Sequence, residues 1–80
     1  MFTNFKRGDL IRTKWNFTYS VRVFNNKYFY LFPVLEYSGN IILKKGSVGI
    51  FLEYDAVSGI KFFANNDFFY CKNEKLFERV

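Results

Sequence analysis

The chain has 80 residues, of which 24% are aromatic, and its formal net charge at pH 7 is +5. A chain of this length forms one domain, here residues 1–80, and folding buries only about 63% of its unfolded surface. With one cysteine and no histidine, the chain lacks an internal disulfide, a cysteine–histidine pair and the commonest zinc ligand. We therefore expect a non-enzymatic protein that binds no cofactor and no metal.

The first half of the chain predicts a strand, an irregular segment and a hairpin, at residues 9–14, 15–20 and 21–32. The hairpin turn falls on Asn25 and Asn26, because asparagine tolerates the positive φ of a tight turn. Pro33 ends the second hairpin strand, since it has no N–H to donate to a neighbouring strand. An edge strand around residues 34–37 is expected to follow.

The second half predicts three strands and one helical turn, at residues 47–55, 60–64, 68–72 and 73–77. The strand at residues 47–55 has the clearest alternation, with one apolar face and one mixed face. Its apolar face consists of Val48, Ile50, Leu52 and Tyr54. A tight turn is expected at residues 65–67, and Asn73 is the predicted N-cap of the helical turn.

Several short strands separated by turn signals predict a small barrel or sandwich, and a barrel has the advantage of removing exposed strand edges. The order of elements resembles an SH3-like small β-barrel. The segments that carry this resemblance are residues 6–11 (Lys-Arg-Gly-Asp-Leu-Ile), 43–54, 60–71 and 73–77. The resemblance implies an all-β fold of five to six antiparallel strands with one short 3-10 or helical turn near the C-terminus.

The likeness extends to uncharacterised small barrel proteins of phages and viruses. The chain is rich in residues with AT-rich codons, such as Phe, Tyr, Ile, Asn and Lys, which is typical of a small AT-rich genome. Signalling SH3 domains bind proline-rich peptides beside an acidic loop, whereas the corresponding region here is basic. The resemblance therefore implies the fold and not that ligand.

All of the excess positive charge lies in the first thirty residues. Residues 1–30 hold six bases and one acid, while residues 31–80 hold six of each. Bases interleaved with aromatic residues are typical of surfaces that bind nucleic acid or acidic proteins, although alternating strands also produce this pattern with the aromatic side chains facing inward. The candidate interaction surface is Arg12, Lys14, Trp15, Phe17, Tyr19, Arg22, Tyr28 and Tyr30.

Two interpretations of Trp15 stay open. If it is exposed beside Arg12, Lys14 and Arg22, it is a stacking platform or an interface anchor. If it is buried under a long loop, it plugs the barrel. Cys71, in contrast, is expected to be a packed small hydrophobic residue and not a reactive thiol.

These patterns predict a small interaction or structural module that binds a protein partner, or a second copy of itself, through exposed aromatic side chains. The alternative is a nucleic-acid-binding barrel that uses residues 6–30. No signal peptide and no apolar run of membrane length are recognisable. We therefore expect a cytoplasmic protein, in the host cytoplasm if it is viral, with no membrane partner and no small-molecule substrate.

Overall fold

A computed structural model describes residues 4–23, 27–35 and 39–80, with the backbone alone for residues 20–23 and 27–28. The described residues form seven strands in one curled, mixed sheet that makes a half-barrel. The strands are β1 Leu10–Thr13, β2 Asn16–Val23, β3 Lys27–Val34, β4 Val48–Asp55, β5 Gly59–Ala64, β6 Asp67–Cys71 and β7 Phe77–Arg79. Their order across the sheet is β2-β3-β6-β5-β4-β1-β7.

The predicted all-β class is confirmed, but the predicted number and direction of strands are wrong. There are seven strands among the described residues, where five to six were expected, and β3 pairs with β6 in parallel. Aromatic packing accounts for this parallel pair, since the rings of Phe29 and Phe69 lie 5.8 Å apart and those of Tyr30 and Tyr70 lie 5.6 Å apart. Such a pairing joins residues that are about forty positions apart in the chain, and no local sequence pattern predicts it.

The irregular segment expected at residues 15–20 is instead the start of a regular strand. β2 begins at Asn16 and pairs with β3 along its whole length. Phe17 is 0% exposed, and its backbone also bonds to Leu43, with the Phe17 N–H donating to the Leu43 carbonyl at 2.8 Å. With its ring in the core and its backbone bonded on both sides, Phe17 makes the segment part of the sheet.

The face of β4 that meets the core changes along the strand. Up to Phe51 it is the mixed face, since Gly49 and Phe51 are buried while Val48 and Ile50 are exposed on the outer face. The pairing of β4 with β5 shifts between Phe51 and Glu53, as at a β-bulge. Beyond the shift, Tyr54 of the apolar face packs against the core, a change of side that alternation alone does not reveal.

The core is built largely from phenylalanine rings. Phe62 packs against Phe69 and Phe77, with ring centroids 5.6 Å and 5.0 Å apart, and Phe77 stacks on Phe17 at 5.4 Å. The buried apolar residues are Ile11, Phe17, Leu31, Leu43, Phe51, Ile60, Phe62, Ala64, Phe69, Cys71 and Phe77. Every strand contributes at least one of them, so the inner face of the curled sheet encloses a single core.

Two predicted turns are confirmed. Asn65 and Asn66 have φ values of 50° and 62°, as the tight turn between β5 and β6 requires. A 3-10 turn occupies Glu74–Leu76, and the Asn73 side chain caps it by accepting the Lys75 N–H at 3.1 Å.

The predicted turn at Asn25 and Asn26 lies outside the described residues, and so does the second half of the edge strand expected at residues 34–37. Of its described residues, Val34 is the last residue of β3 and Leu35 lies outside the strands. In the part of the chain that the structure does describe, no helix has the length and apolar character needed to cross a bilayer.

Candidate functional site

Trp15 is exposed, and the interpretation of this residue as a buried plug is wrong. Its exposed fraction is 49%. Trp15 and Lys14 form the two-residue connection between β1 and β2. Because the connection is short and its neighbours belong to strands, the indole has a defined position at the end of the sheet.

Hydrogen bonds hold this connection from both sides. The Lys14 N–H donates to the Leu76 carbonyl at 2.8 Å, which ties the connection to the 3-10 turn. The Asn16 Oδ1 accepts the Lys45 N–H, also at 2.8 Å, which ties it to the turn that precedes β4. The indole of Trp15 is therefore displayed on a backbone that is already ordered.

Thr13 also helps to fix the connection between β1 and β2 in place. It is the one buried polar residue among the described residues. Its Oγ1 donates to the Lys44 carbonyl at 3.0 Å and accepts the Ser47 N–H at 3.1 Å. The turn at residues 44–47 is thus fastened to the end of β1, directly beside Trp15.

A groove runs along this end of the sheet through three adjoining pockets, which we call the Trp15 groove. The first pocket, about 250 Å³, is lined by Lys14, Trp15, Asn16, Val34, Leu35 and Lys45. The second, also about 250 Å³, is lined by Trp15, Pro33, Val34, Leu35 and Leu76. The third, about 380 Å³, is lined by Tyr30, Leu31, Phe32, Pro33, Cys71, Lys72, Asn73 and Leu76. Successive pockets share lining residues, so the groove is continuous.

The Trp15 groove is mainly apolar in its second and third pockets and mixed in its first, where Lys14 and Lys45 lie. Leu35 is 57% exposed and Phe32 is 50% exposed, so apolar surface is open to solvent beside Trp15. The charged residues among its described lining residues are Lys14, Lys45 and Lys72. Glu36 follows Leu35 in the sequence and lies outside the described residues. A segment with apolar and acidic side chains matches this combination.

Only part of the surface predicted from the sequence comes together here. Lys14 and Trp15 line the first pocket, and Tyr30 lines the third. Tyr30 is half-buried, stacks on Tyr70 and donates its hydroxyl to the Ser58 Oγ at 3.3 Å. These three of the eight predicted residues are in the groove.

Phe17 does not belong to an interaction surface, which corrects the prediction. It faces the core because its position in β2 alternates with solvent-facing positions, the structural explanation that the aromatic pattern had left open. Tyr19 lies on the same face, packs against the core and contacts the Phe29 ring at 4.5 Å.

The remaining basic positions lie elsewhere. Arg12 forms an ion pair with Glu78 at 3.0 Å on the outer face of the sheet. Arg22 and Tyr28 are partners across the β2–β3 pairing, and their side chains are outside the described residues. Among the predicted residues whose side chains the structure describes, the basic and aromatic ones therefore do not form one surface.

The sequence did not assign the other eleven lining residues of the Trp15 groove to an interaction surface: Asn16, Leu31, Phe32, Pro33, Val34, Leu35, Lys45, Cys71, Lys72, Asn73 and Leu76. They come from separate segments that only the sheet order brings together. The available signal was local and weak. The Asn73 cap predicted the helical turn, but nothing in the sequence placed that turn next to Trp15.

Cys71 is buried beneath the third pocket and packs in the core, as expected. Burial raises the pKa of its thiol, and a backbone hydrogen bond from Asn73 only partly offsets this effect. The Sγ also donates a weak hydrogen bond to the Asn73 carbonyl at 3.8 Å. A thiol with a raised pKa is a poor nucleophile at neutral pH.

A larger cleft of about 730 Å³ lies on the other side of Lys14. It is lined by Asn4, Phe5, Lys14, Glu74, Lys75, Phe77, Glu78 and Arg79. Acids and bases are mixed in this lining, so the cleft has no clear preference for a charged ligand. Among the described residues, no three acidic or cysteine side chains lie together as a metal site.

Comparison with known proteins adds no relative. No protein-family model, curated protein or solved structure matches this chain. The expected likeness to small phage barrels therefore stays a prediction, and the functional argument depends on the geometry of the chain itself.

Proposed function

We propose that this protein is a small, non-enzymatic interaction module of SH3-like type that binds a protein partner through the Trp15 groove. The observation that carries the proposal is a continuous apolar groove that contains an exposed tryptophan and has lysines as its only charged described lining residues. Exposed tryptophan in a partly desolvated pocket is the residue type most often found to dominate binding energy at protein interfaces.

The partner segment that fits is apolar with interspersed Asp or Glu. Apolar side chains would cover Trp15, Pro33 and Leu76, while carboxylates would meet Lys14 and Lys45 at the rim. Complementary charge mainly increases the association rate and the specificity, and apolar burial supplies most of the affinity. The hydrogen-bonded connection around Trp15 lowers the entropic cost of binding, because the backbone that carries the indole is already ordered before the partner arrives.

Fluorescence of the single tryptophan tests the proposal directly. Because Trp15 is the only tryptophan in the chain, its emission reports on the groove. We expect a peptide of alternating Glu and Leu to shift the emission to shorter wavelength and to bind saturably. A peptide of alternating Lys and Leu, with the same apolar content, should bind at least about tenfold more weakly, a difference of about 1.4 kcal/mol.

Charge-reversal variants locate the binding site. Lys14→Glu combined with Lys45→Glu should weaken the Glu/Leu peptide by about tenfold or more. Lys6→Glu combined with Arg7→Glu reverses two exposed bases before the opposite end of β1, so it is the control matched in charge and should have little effect. If the two peptides bind equally, or if the Lys6/Arg7 variant is as harmful as the groove variant, the proposed site is wrong.

Single-stranded nucleic acid is the second candidate ligand. The specific observation in its favour is that Lys14, Trp15 and Lys45 line one pocket, since aromatic stacking on bases next to phosphate-binding cations is the general mode of single-strand recognition. An oligothymidine should then quench Trp15, with an affinity that falls steeply as salt rises. Quenching by oligothymidine together with no response to the Glu/Leu peptide would replace the first candidate by the second.

A further inference from the structure

The outer face of the sheet carries a row of exposed apolar side chains, which we call the outer row. The row crosses neighbouring strands in register and consists of Phe68, Phe63, Ile50, Leu10 and Val80. Four of the five are between 41% and 61% exposed, and Phe63 is half-buried. None of them lines the Trp15 groove, so the outer row is an independent surface.

Charged pairs border the outer row on both sides. Lys61 and Glu53 lie 3.7 Å apart on one side, and the Lys61 Nζ is 5.9 Å from the centre of the Phe68 ring. On the other side, Arg12 and Glu78 lie 3.0 Å apart. Each border carries one base and one acid, so the face is locally neutral although the chain as a whole has a charge of +5.

This local neutrality favours a second copy of the chain as the occupant. Two molecules with a charge of +5 repel each other over most of their surfaces, but the outer faces can meet without net repulsion. Because both borders hold both signs, a copy related by a two-fold axis can place its acids opposite the bases of the first. A two-fold interface needs a self-complementary surface of this kind.

The size of the face sets the strength of the association. Five strands about 4.8 Å apart, and three rows of same-face residues about 6.8 Å apart, give a footprint of about 500 Å² per copy once side chains are included. Two such faces total about 1,000 Å², which is the lower limit for a specific interface. The curl of the sheet restricts the contact further, so a stable dimer at low concentration is not expected.

We propose that the outer row is the interface of a low-affinity homodimer, in which two sheets pack face to face. This assignment does not depend on the Trp15 groove. The dimer forms in the high micromolar range, and its affinity depends weakly on salt because most of the contact is apolar.

Sedimentation equilibrium from about 10 µM to about 1 mM tests the interface. For the unmodified chain we expect the weight-average mass to rise toward twice 9.6 kDa over this range. Ile50→Thr combined with Phe68→Thr should raise the dissociation constant more than tenfold. Ile50 is at the centre of the outer row, Phe68 is the exposed aromatic side chain at one end of it, and threonine preserves strand propensity. Val57→Thr, which changes an exposed apolar residue in a turn away from the row, is the control and should leave the constant unchanged.

Two results would overturn the proposal. One is a mass that stays monomeric up to about 1 mM. The other is a dimer that survives the Ile50/Phe68 double variant but is lost in Trp15→Ala, because self-association would then use the groove. Thermal unfolding of the double variant, together with its Glu/Leu peptide titration, separates a loss of dimer from a loss of fold. If no dimer forms while the Glu/Leu peptide still binds normally, the proposed function is unaffected.

Discussion

A methyl group added at Gly49 tests most directly which face of β4 meets the core. An ideal Cβ at this position lies 2.9 Å from the Phe62 Cδ2 and 2.9 Å from the Phe63 carbonyl oxygen. Carbon atoms in good contact are about 3.5–4.0 Å apart, so the ring or the strand has to move. The Phe62 ring has little freedom to move, because it is buried between Phe69 and Phe77.

The Gly49→Ala variant should therefore be less stable than the unmodified chain. Forcing extra volume into a packed core costs about 1–3 kcal/mol. For a domain of this size, each kcal/mol lowers Tm by about 4–8 °C, so we expect Tm to fall by about 4–24 °C. The opposite sign is expected if Gly49 faces solvent, since alanine in a strand interior is more favourable than glycine by about 0.5–1 kcal/mol.

Thermal and urea unfolding followed by circular dichroism measure this difference. Gly39→Ala is the matched control, because a Cβ at Gly39 meets no atom within 4 Å and the change in unfolding free energy should stay within about 0.5 kcal/mol. Adding Phe62→Leu to Gly49→Ala probes the contact itself. The double variant should lose less stability than the two single changes added together. A Gly49→Ala variant as stable as the unmodified chain would refute the burial of Gly49 under Phe62 and the assignment of the β4 faces.

Three further predictions concern the residues around β1, β2 and β6. Phe17→Ala should lower the free energy of unfolding by about 3–5 kcal/mol in urea titrations, because the ring is fully buried. Trp15→Ala should lower it by only about 1 kcal/mol, because the indole is half exposed. Equal losses in the two variants would contradict their different burial. Thr13→Val should cost about 1 kcal/mol in the same titrations, since the Ser47 N–H loses one of its acceptors, and an unchanged midpoint would show that this hydrogen bond is not needed. At pH 8, Cys71 should react with a disulfide reagent more than about tenfold faster in urea than in the folded protein, because burial excludes the reagent and the raised pKa suppresses the thiolate. The raised pKa of Cys71 also contributes to the free energy of unfolding below the ordinary thiol pKa, and this contribution is lost as the pH rises through the higher pKa of the folded state. Cys71→Ala should therefore lessen the loss of stability at alkaline pH, measured by urea unfolding.

Local features of the chain predicted the strands where residues alternate clearly and turns carry their own signals. β1, β5 and β6 lie within one residue of their predicted positions, and Asn65, Asn66 and Asn73 have the predicted turn and cap roles. Each of these signals depends on neighbours within a few residues, which explains why it can be recognised without the fold.

The candidate site was predictable only in part. Lys14, Trp15 and Tyr30 were singled out because basic and aromatic residues mix in the first thirty positions. The same pattern also selected Phe17, which is buried, because a strand places alternate side chains on opposite faces and composition does not reveal which face is inside. The partners of Trp15 in the groove come from β3, the turn before β4 and the 3-10 turn, and no local rule brings these segments together.

The amino-acid sequence by itself determined an all-β chain with short strands, a basic first third and more aromatic side chains than a small core needs. Only the tertiary structure decided how that aromatic surface is divided, because burial depends on which strands become neighbours. In the sheet order that results, Phe17, Phe62 and Phe69 lie inside. The same arrangement leaves Trp15 in a basic groove and Phe68 in a neutral outer row, which are the two surfaces proposed here for binding.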